Sequence, residues 1–181
     1  MRDLQHLGGG IVPGSIVLVG GDPGIGKSTL VLQMLKQVSE LRGKALYVSG
    51  EESPAQIKMR AQRISVDGDF SISHFSEVDQ LIAHCKRTGV EVLFQDSLQS
   101  LRDGNITNHH ATLVSATEKL HHFSKTDDVT IIIVGHITKG GVFAGPQTIK
   151  HDVDVHAHLS LNTDTGNRIF ELQKNRFGPA C

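Results

Sequence analysis

The chain has 181 residues, with 18 basic residues against 19 acidic ones. The length suits a single domain over 1–181. The balance of charges excludes an overall positive potential of the kind that attracts nucleic acid. No apolar run approaches the ~20 residues that a membrane-spanning helix needs, so we expect no membrane partner. Cys85 and Cys181 lack metal-ligand spacing, and the sequence shows no signal peptide. We therefore expect a cytoplasmic protein whose cysteines are reduced.

The first predicted strand, residues 15–20, is apolar and runs directly into a glycine-rich loop of the form G-x-x-x-x-G-K-[ST]. Glycines let the backbone fold tightly round a phosphate so that amide N–H groups converge on its oxygens. The helix predicted over 27–41 points its positive end at the same phosphates. The motif therefore predicts a site for ATP, formed by Gly21, Asp22, Pro23, Gly24, Ile25, Gly26, Lys27, Ser28 and Thr29.

Two side chains of this loop carry its chemistry. We expect Lys27 to reach the β and γ phosphates and the Ser28 hydroxyl to ligate Mg²⁺. A glycine-rich turn that binds nothing is the ordinary alternative. Here the strand before the loop, the helix after it and all the fixed positions agree with the phosphate-binding interpretation.

Strands and helices alternate through the rest of the chain. Ser53 and Gln56 form a capping box with Pro54 at the first helical position, and Ser76 with Asp79 is expected to cap a later helix. Repeated strand–helix–strand units imply a parallel sheet with helices on both faces. Further strands are predicted at 45–49, 70–74, 90–95 and 129–134, of which the last is the most apolar and is expected to be central.

Beyond residue 150 the pattern changes. Two strands, at about 152–160 and 167–173, are joined by a turn over 162–166 and read as an antiparallel hairpin. In the first of them polar and apolar residues alternate, which predicts one wet face formed by Asp152, Asp154, His156 and His158. The chain has 11 histidines, but neighbouring histidines diverge and none has a partner at a recognised ligand spacing, which disfavours a metal site among them.

Carboxylates follow two of the predicted strands. Asp96 ends an apolar strand, where a carboxylate can hold Mg²⁺ from the side opposite Ser28; a surface turn is the alternative. Glu51 and Glu52 follow the second strand at its carboxyl end, where ligands of open α/β sheets gather. One of the two could deprotonate the attacking water, although adjacent surface glutamates are ordinary. Gln95 is unexpected in an apolar strand and needs a partner for its amide.

His136 follows the strand that ends at residue 134, again at the carboxyl edge. It could sense the γ-phosphate through a hydrogen bond and pass the signal to the glycine-rich loop over 137–147. A histidine that only forms hydrogen bonds to nearby protein groups, with no role in sensing, fits the same position. Position alone does not separate the two interpretations.

Several segments follow one another in order along nearly the whole chain: Leu7–Gly14, Gly20–Thr29, Tyr47–Ser53, Asp96–Gln99, Val134–Lys139 with Ala144–Pro146, and Lys174–Gly178. Together they resemble the bacterial RadA (Sms) DNA-repair ATPases, relatives of RecA and of the replicative DnaB helicases. A phosphate loop alone is shared by many NTPase families, whereas the last segment is close to diagnostic. The resemblance implies a RecA-like P-loop NTPase: an α/β fold with a mostly parallel central sheet, helices on both faces and a C-terminal antiparallel hairpin.

The resemblance implies roles for matching positions. Glu51 aligns with the catalytic glutamate of RecA-like ATPases, which favours it over Glu52, and His136 occupies the switch position. Lys174 and Arg176 match a motif that in similar ring ATPases reaches the γ-phosphate of the neighbouring subunit. We therefore expect a ring homo-oligomer, a hexamer, because a cation supplied in trans arrives only on assembly. A solvated basic segment is the alternative.

The resemblance also implies an activity: ATP hydrolysis coupled to movement on single-stranded DNA in recombination and repair. The segments 100–112 and 137–151 match the DNA-facing loops, which makes Lys139 and Lys150 candidate DNA contacts. Lys150 stands where the family usually has an acidic residue, which is a departure from the family's pattern. We expect one RecA-like ATPase domain here, without counterparts of the family's N-terminal zinc module and C-terminal Lon-like domain.

Two other function classes fit the same motifs. One is a nucleotide-switched assembly protein of the KaiC type, which would act on protein partners. The other is a module that binds nucleotide without turnover because it lacks its ring neighbours. DNA-stimulated hydrolysis would argue against the first, and hydrolysis that rises with protein concentration would argue against the second.

Overall fold

A computed structural model describes residues 11–42, 44–104, 106–136 and 147–178. Within these ranges one seven-stranded sheet is formed by β1 Ile16–Gly21, β2 Ala45–Ser49, β3 Phe70–Ser73, β4 Val92–Asp96, β5 Thr130–Val134, β6 Val155–Leu161 and β7 Arg168–Asn175. Its strand order is β3-β2-β4-β5-β1-β6-β7. All neighbouring strands are parallel except β6 and β7, which are antiparallel. The predicted α/β fold with a C-terminal hairpin is confirmed.

Helices cover both faces of this sheet. In the described ranges they are α1 Lys27–Arg42, α2 Pro54–Arg63, α3 Val78–Thr88, α4 His109–Asp127 and α5 Gln147–Asp152, with a 3₁₀ turn at Leu98–Ser100. Apolar side chains of α1 and α2 pack on one face, and those of α3, α4 and α5 pack on the other. Among the described residues, no helix combines the length and the apolar character that crossing a bilayer requires.

Strand β5 occupies the middle of the sheet, as its apolar sequence predicts. Ile131 and Ile133 belong to the core on one face, whereas Ile132 and Val134 belong to the core on the other. All four are fully buried. Burying such a side chain contributes about 1.5–3 kcal/mol, so a continuous apolar run is stable only where both faces are covered.

Of the two predicted N-terminal helix caps, one is present in the structure and the other is not. Ser53 accepts the Gln56 amide while the Gln56 side chain accepts the Ser53 amide, so the predicted capping box is present. The predicted cap by Ser76 is wrong. Helix α3 has Glu77 at its N-cap without a side-chain cap bond, and Ser76 instead accepts the Arg102 amide through its backbone carbonyl at 2.7 Å.

The predicted wet face of the hairpin is also wrong. Asp154 and His156 are 3% and 4% exposed, and Asp152 ends α5 rather than starting a strand. The reason is that helices cover this face of β6. Val155 and Ala157 belong to the core on the other face of the sheet, so Asp154 and His156 point towards α4 and α5. Asp154 accepts from Lys125 of α4, and Lys174, which is paired in register with His156, binds the carbonyls at the end of α5.

The parallel arrangement brings four strand ends to one edge. Strands β1, β2, β4 and β5 all run in the same direction, and their carboxyl ends are followed by the glycine-rich loop, by Glu51, by Ser97 and by His136. Open α/β sheets bind ligands at this edge. The candidate site residues that lie far apart in the sequence are therefore brought together by the topology.

Candidate active site

The glycine-rich loop lies between the end of β1 and the start of α1. Gly21, Gly24 and Gly26 have φ values of +151°, +78° and +106°, a region that favours glycine. A Cβ at Gly21 would lie 2.4 Å from the Leu159 carbonyl oxygen, whereas one at Gly24 would meet nothing within 4 Å. The loop is therefore anchored to β6 at its base and open at its tip, where backbone amides can approach an anion.

Lys27 folds over this loop. Its Nζ donates to the carbonyls of Gly21 at 2.7 Å and Asp22 at 2.8 Å. Burial lowers the pKa of Lys27, while the nearby Asp96 and Asp22 carboxylates oppose that shift. An ammonium has three N–H donors, so one remains for a phosphate oxygen after the two bonds formed within the described part of the chain.

Asp96 is 7% exposed and lies at the end of β4. The Tyr47 hydroxyl donates to its Oδ2 at 2.5 Å. Burial, and then the adjacent Asp96 charge, raises the pKa of Tyr47, which keeps that hydroxyl protonated as a donor. The carboxylate is thus held in one orientation close to Lys27, with its other oxygen available to a cation.

The structure separates the two adjacent glutamates. Both amides donate to the Ser49 hydroxyl, at 3.2 Å from Glu51 and 3.0 Å from Glu52. The Glu52 carboxylate then turns away and forms an ion pair with Arg60 of α2. The Glu51 carboxylate instead accepts a hydrogen bond from Ser97, the residue after Asp96, at 2.9 Å. Only Glu51 of the two therefore faces the end of β4.

His136 closes the same group. Its Nε2 lies 3.7 Å from Glu51 Oε1, and its backbone N–H donates to Gln99 Oε1 at 3.4 Å. The side-chain Nε2 of the nearby Gln95 donates to the Ser97 carbonyl at 3.0 Å, whereas its Oε1 is buried without a hydrogen-bond partner among the described residues. Glu51, Ser97 and His136 thus form one contiguous polar cluster beside Asp96.

Lys174 binds elsewhere, at the end of α5. Its Nζ donates to the carbonyls of Lys150, His151 and Val153 at 3.2, 2.6 and 2.7 Å. These carbonyls lie at and just beyond the last turn of the helix, where backbone acceptors need partners from outside. Burial, together with the nearby Arg176, lowers the pKa of Lys174.

Arg176 binds beside it. Its Nη1 donates to Asp154 Oδ1 at 3.1 Å and its Nη2 to the His151 carbonyl at 3.0 Å. Asp154 Oδ2 also accepts the Ile16 amide at 3.0 Å and Lys125 Nζ at 2.7 Å. Burial opposes ionisation of Asp154, but the bonds from Lys125, the Ile16 amide and Arg176 together lower its pKa. This buried anchor was not predicted, because the alternating pattern placed Asp154 on a solvent-facing side of the strand.

These two cations lie far from the glycine-rich loop of their own chain. Arg168 begins β7 and lies beside Gly26, where an added Cβ would be 3.1 Å from its Nη1. Lys174 follows six residues later on the same strand. At about 3.4 Å per residue, the separation along β7 is about 20 Å. The structure therefore brings together the loop, Asp96, Glu51 and His136, and places Lys174 and Arg176 at the other end of the hairpin.

The candidate DNA contacts are placed only in part. Lys139 lies outside the described residues, as does most of the loop 137–147. Lys150 is half-buried in α5, and its carbonyl accepts from Lys174. Within the segment 100–112, Asp103 accepts from Ser115 at 2.5 Å and from Lys119 at 2.6 Å.

Sequence reasoning did not assign roles to Tyr47, Ser97 or Arg60. The first two stand within segments that carry the family resemblance, next to strand ends, so their position was a usable signal. Arg60 lies on a helix with no distinguishing pattern, and only the structure pairs it with Glu52.

Comparisons with known proteins identify the relatives of this chain. A family model described as an AAA domain matches residues 1–142. The DNA repair protein RadA of Streptococcus pneumoniae is 42% identical over 176 residues, covering 95% of this chain and 42% of that protein. RadA of Listeria monocytogenes is 41% identical over 186 residues, covering 98% and 40%. The chain thus spans about two fifths of the length of these relatives.

Solved structures share the fold at lower sequence identity. A DnaB-like replicative helicase has a TM-score of 0.79 at 15% identity, covering 95% of this chain and 55% of that one. The RadB recombinase gives 0.71 at 22% identity, with coverages of 97% and 88%. A KaiC-like protein from Pyrococcus horikoshii gives 0.76 at 20% identity, with coverages of 96% and 85%. These likenesses establish the RecA-like arrangement of strands and helices.

Proposed function

The chain belongs to the AAA domain family, and on that premise we propose that it is the ATPase core of a RadA-like DNA-repair protein, one that binds ATP with Mg²⁺ and hydrolyses it. The observation that carries the proposal is the cluster of Glu51, Ser97 and His136 beside Asp96, at the sheet edge where the glycine-rich loop lies. A loop that only held phosphate would need no such cluster.

The loop and Lys27 bind the phosphates. Backbone amides at the open tip around Gly24 and the N-terminus of α1 provide donors, and Lys27 adds a charge-assisted hydrogen bond. Because Lys27 is already held by two loop carbonyls, its ammonium is oriented before the nucleotide arrives. The binding of ATP therefore loses little side-chain freedom at this position.

Ser28 and Asp96 would hold Mg²⁺. A hydroxyl and a carboxylate match the oxygen ligands that this cation prefers, and Tyr47 leaves one Asp96 oxygen available. When bound, the cation offsets negative charge on the phosphate oxygens. Tyr47 serves this site by fixing the direction of the Asp96 carboxylate.

Glu51 would accept a proton from the attacking water. Ser97 donates to Oε1, which fixes the carboxylate plane and leaves Oε2 for the water. His136 lies 3.7 Å from the same carboxylate and is the candidate sensor of the γ-phosphate. Loss of the γ-phosphate would change the hydrogen bonding of His136, and its backbone contact with Gln99 links that change to the 3₁₀ turn.

Lys174 and Arg176 would complete the site of a neighbouring subunit in a ring. Their separation of about 20 Å along β7 from the Gly26 end of the hairpin supports a role in trans. Positive charge near the leaving phosphate stabilises the transition state, and charge supplied by a neighbour makes hydrolysis depend on assembly. We propose a homo-hexamer, in line with the DnaB-like fold.

The work done by hydrolysis would be movement on single-stranded DNA in a cytoplasmic repair pathway. The support is the name of the relatives, DNA repair protein RadA, at about two fifths of their length. Lys139 and Lys150 are the candidate phosphate contacts, and contacts of this kind weaken as salt increases.

An ATPase assay with and without single-stranded DNA, over a range of protein concentrations and at fixed salt, tests the proposal. We expect turnover that rises more steeply than protein concentration, is stimulated by DNA and disappears in Lys27→Ala. Equal turnover in wild type and Lys27→Ala would contradict the assigned pocket. Turnover unaffected by DNA would contradict only the DNA role.

A second candidate is a nucleotide-binding module that is inactive on its own. It is favoured by one observation: Lys174 and Arg176 are bound to their own α5 end and to Asp154. Tight ATP binding without turnover at every protein concentration would support this candidate over the ATPase.

A further inference from the structure

Arg168 lies against the glycine-rich loop from the side of the hairpin. A Cβ built on Gly26 would meet three atoms of its guanidinium, at 3.1 Å from Nη1, 3.3 Å from Cζ and 3.7 Å from Nη2. The face of the guanidinium thus covers the residue that immediately precedes Lys27. No motif in the sequence drew attention to this arginine.

The position of Arg168 is fixed by the fold. Strand β6 is anchored to the loop, because the Leu159 carbonyl packs against Gly21. The turn between β6 and β7 is closed by Asn162, which bonds to the Asn167 carbonyl and accepts two amides within the turn. Arg168 is the first residue of β7 and pairs with Leu161. The hairpin therefore delivers this side chain to the loop without needing a neighbour.

Arg168 is exposed, and it forms no ion pair with a carboxylate of the described residues. By contrast, Arg176 is bound to Asp154 and Lys174 to three carbonyls. A guanidinium next to a polyphosphate-binding loop is attracted to that polyphosphate, and its planar fork can form two parallel hydrogen bonds to phosphate oxygens.

We propose that Arg168 is a further nucleotide-binding residue, supplied in cis, which pairs with the phosphates of a nucleotide held in the glycine-rich loop. This inference rests on the proposed function and adds to it a division of labour along β7. Arg168 at one end would serve the site of its own subunit, and Lys174 with Arg176 at the other end would serve the neighbour's.

The test measures nucleotide affinity rather than turnover. Wild type, Arg168→Ala, Arg168→Lys and Lys27→Ala are titrated with a fluorescent ADP analogue at about 0.1 M salt, and ATP, ADP and tripolyphosphate are then used as competitors. Arg63→Ala is the matched control, because Arg63 is an exposed arginine on α2, the helix that precedes β3. Strand β3 is the edge of the sheet opposite the edge formed by β7, which carries Arg168.

We expect Arg168→Ala to weaken ATP, ADP and tripolyphosphate by about tenfold each, since all three present phosphates to the loop. Arg168→Lys should lose less affinity, because lysine keeps the positive charge and lacks only the planar guanidinium that forms two parallel hydrogen bonds. Arg63→Ala should bind as wild type does. The Arg168→Ala loss should also shrink as salt is raised, as phosphate pairing requires.

Two results would overturn the inference. One is an Arg168→Ala affinity equal to that of Arg63→Ala. The other is a loss for ATP and ADP with none for tripolyphosphate, which would assign Arg168 to the base. In either case, wild-type binding that is lost in Lys27→Ala would leave the proposed pocket standing. Weak binding that is equal in wild type and Lys27→Ala would instead remove the proposed function, and this inference with it.

Discussion

We predict that His156 makes the folded protein sensitive to mild acid. The side chain is 4% exposed, between β1 and β7, and its Nε2 has no hydrogen-bond partner within the described residues. Burial, and then the positive charges of Lys150, His158 and Lys174, lowers the pKa of His156 from 6.5 to about 4. In the unfolded chain the same imidazole titrates at its ordinary pKa.

The sign and size of the effect follow from linkage. Between pH 6.5 and about pH 4, the unfolded chain binds a proton at this position and the folded chain does not. Stability is therefore highest above the unfolded pKa and falls as the pH falls through this window. With these two pKa values, the free energy of unfolding should decrease by about 2 kcal/mol between about pH 7.5 and pH 5, and by about 3 kcal/mol once the pH is below 4.

Urea unfolding of wild type and His156→Gln at both pH values measures this contribution. Other titrating groups act alike in the two proteins, so the pH effect in wild type minus that in the variant isolates His156. His122→Gln, which replaces an exposed histidine, should retain the wild-type pH dependence. An equal loss of stability on acidification in wild type and His156→Gln would refute the reasoning.

Four further substitutions test the site and its anchor. Glu51→Gln should lower kcat by about 10²–10⁴ while ATP binding persists, and Glu52→Gln should retain turnover because Glu52 pairs with Arg60; equal effects would contradict the assignment. Tyr47→Phe removes a buried donor to Asp96, so it should lower the free energy of unfolding in urea by about 2 kcal/mol. It should also raise the Mg²⁺ concentration needed for half-maximal turnover, and an unchanged Mg²⁺ dependence would contradict the role of Tyr47 in orienting Asp96. Asp154→Asn should destabilise the fold by about 2 kcal/mol, and an unaltered urea midpoint would show that its three donors contribute little.

Most of the architecture could be predicted because local patterns agreed with one another. The run over 129–134 is apolar on both faces, and β5 is the central strand that such a run requires. The wet face of β6 was mispredicted because alternation reports only that two kinds of residue face opposite ways. Which side meets water depends on the helices that pack over each face, and here α4 and α5 cover the face that carries Asp154 and His156.

The candidate site divides in the same way. The glycine-rich loop, Asp96 and Glu51 follow predictable strand ends, so topology alone brings them to one edge. The partners that orient them could not be predicted, because the Tyr47 to Asp96 and Ser97 to Glu51 bonds join residues 49 and 46 positions apart. Only the register of β2 against β4 makes those contacts.

We propose that a neighbouring subunit completes each active site, and mixing two inactive variants can show whether it does. Arg176→Ala and Glu51→Gln are each expected to be inactive alone. In a mixed ring, an Arg176→Ala subunit supplies an intact Glu51 and a Glu51→Gln neighbour supplies an intact Arg176. An equal mixture should therefore recover about a quarter of wild-type ATPase activity, since about one interface in four has this arrangement. A mixture as inactive as its two components, or full turnover in Arg176→Ala alone, would contradict the account.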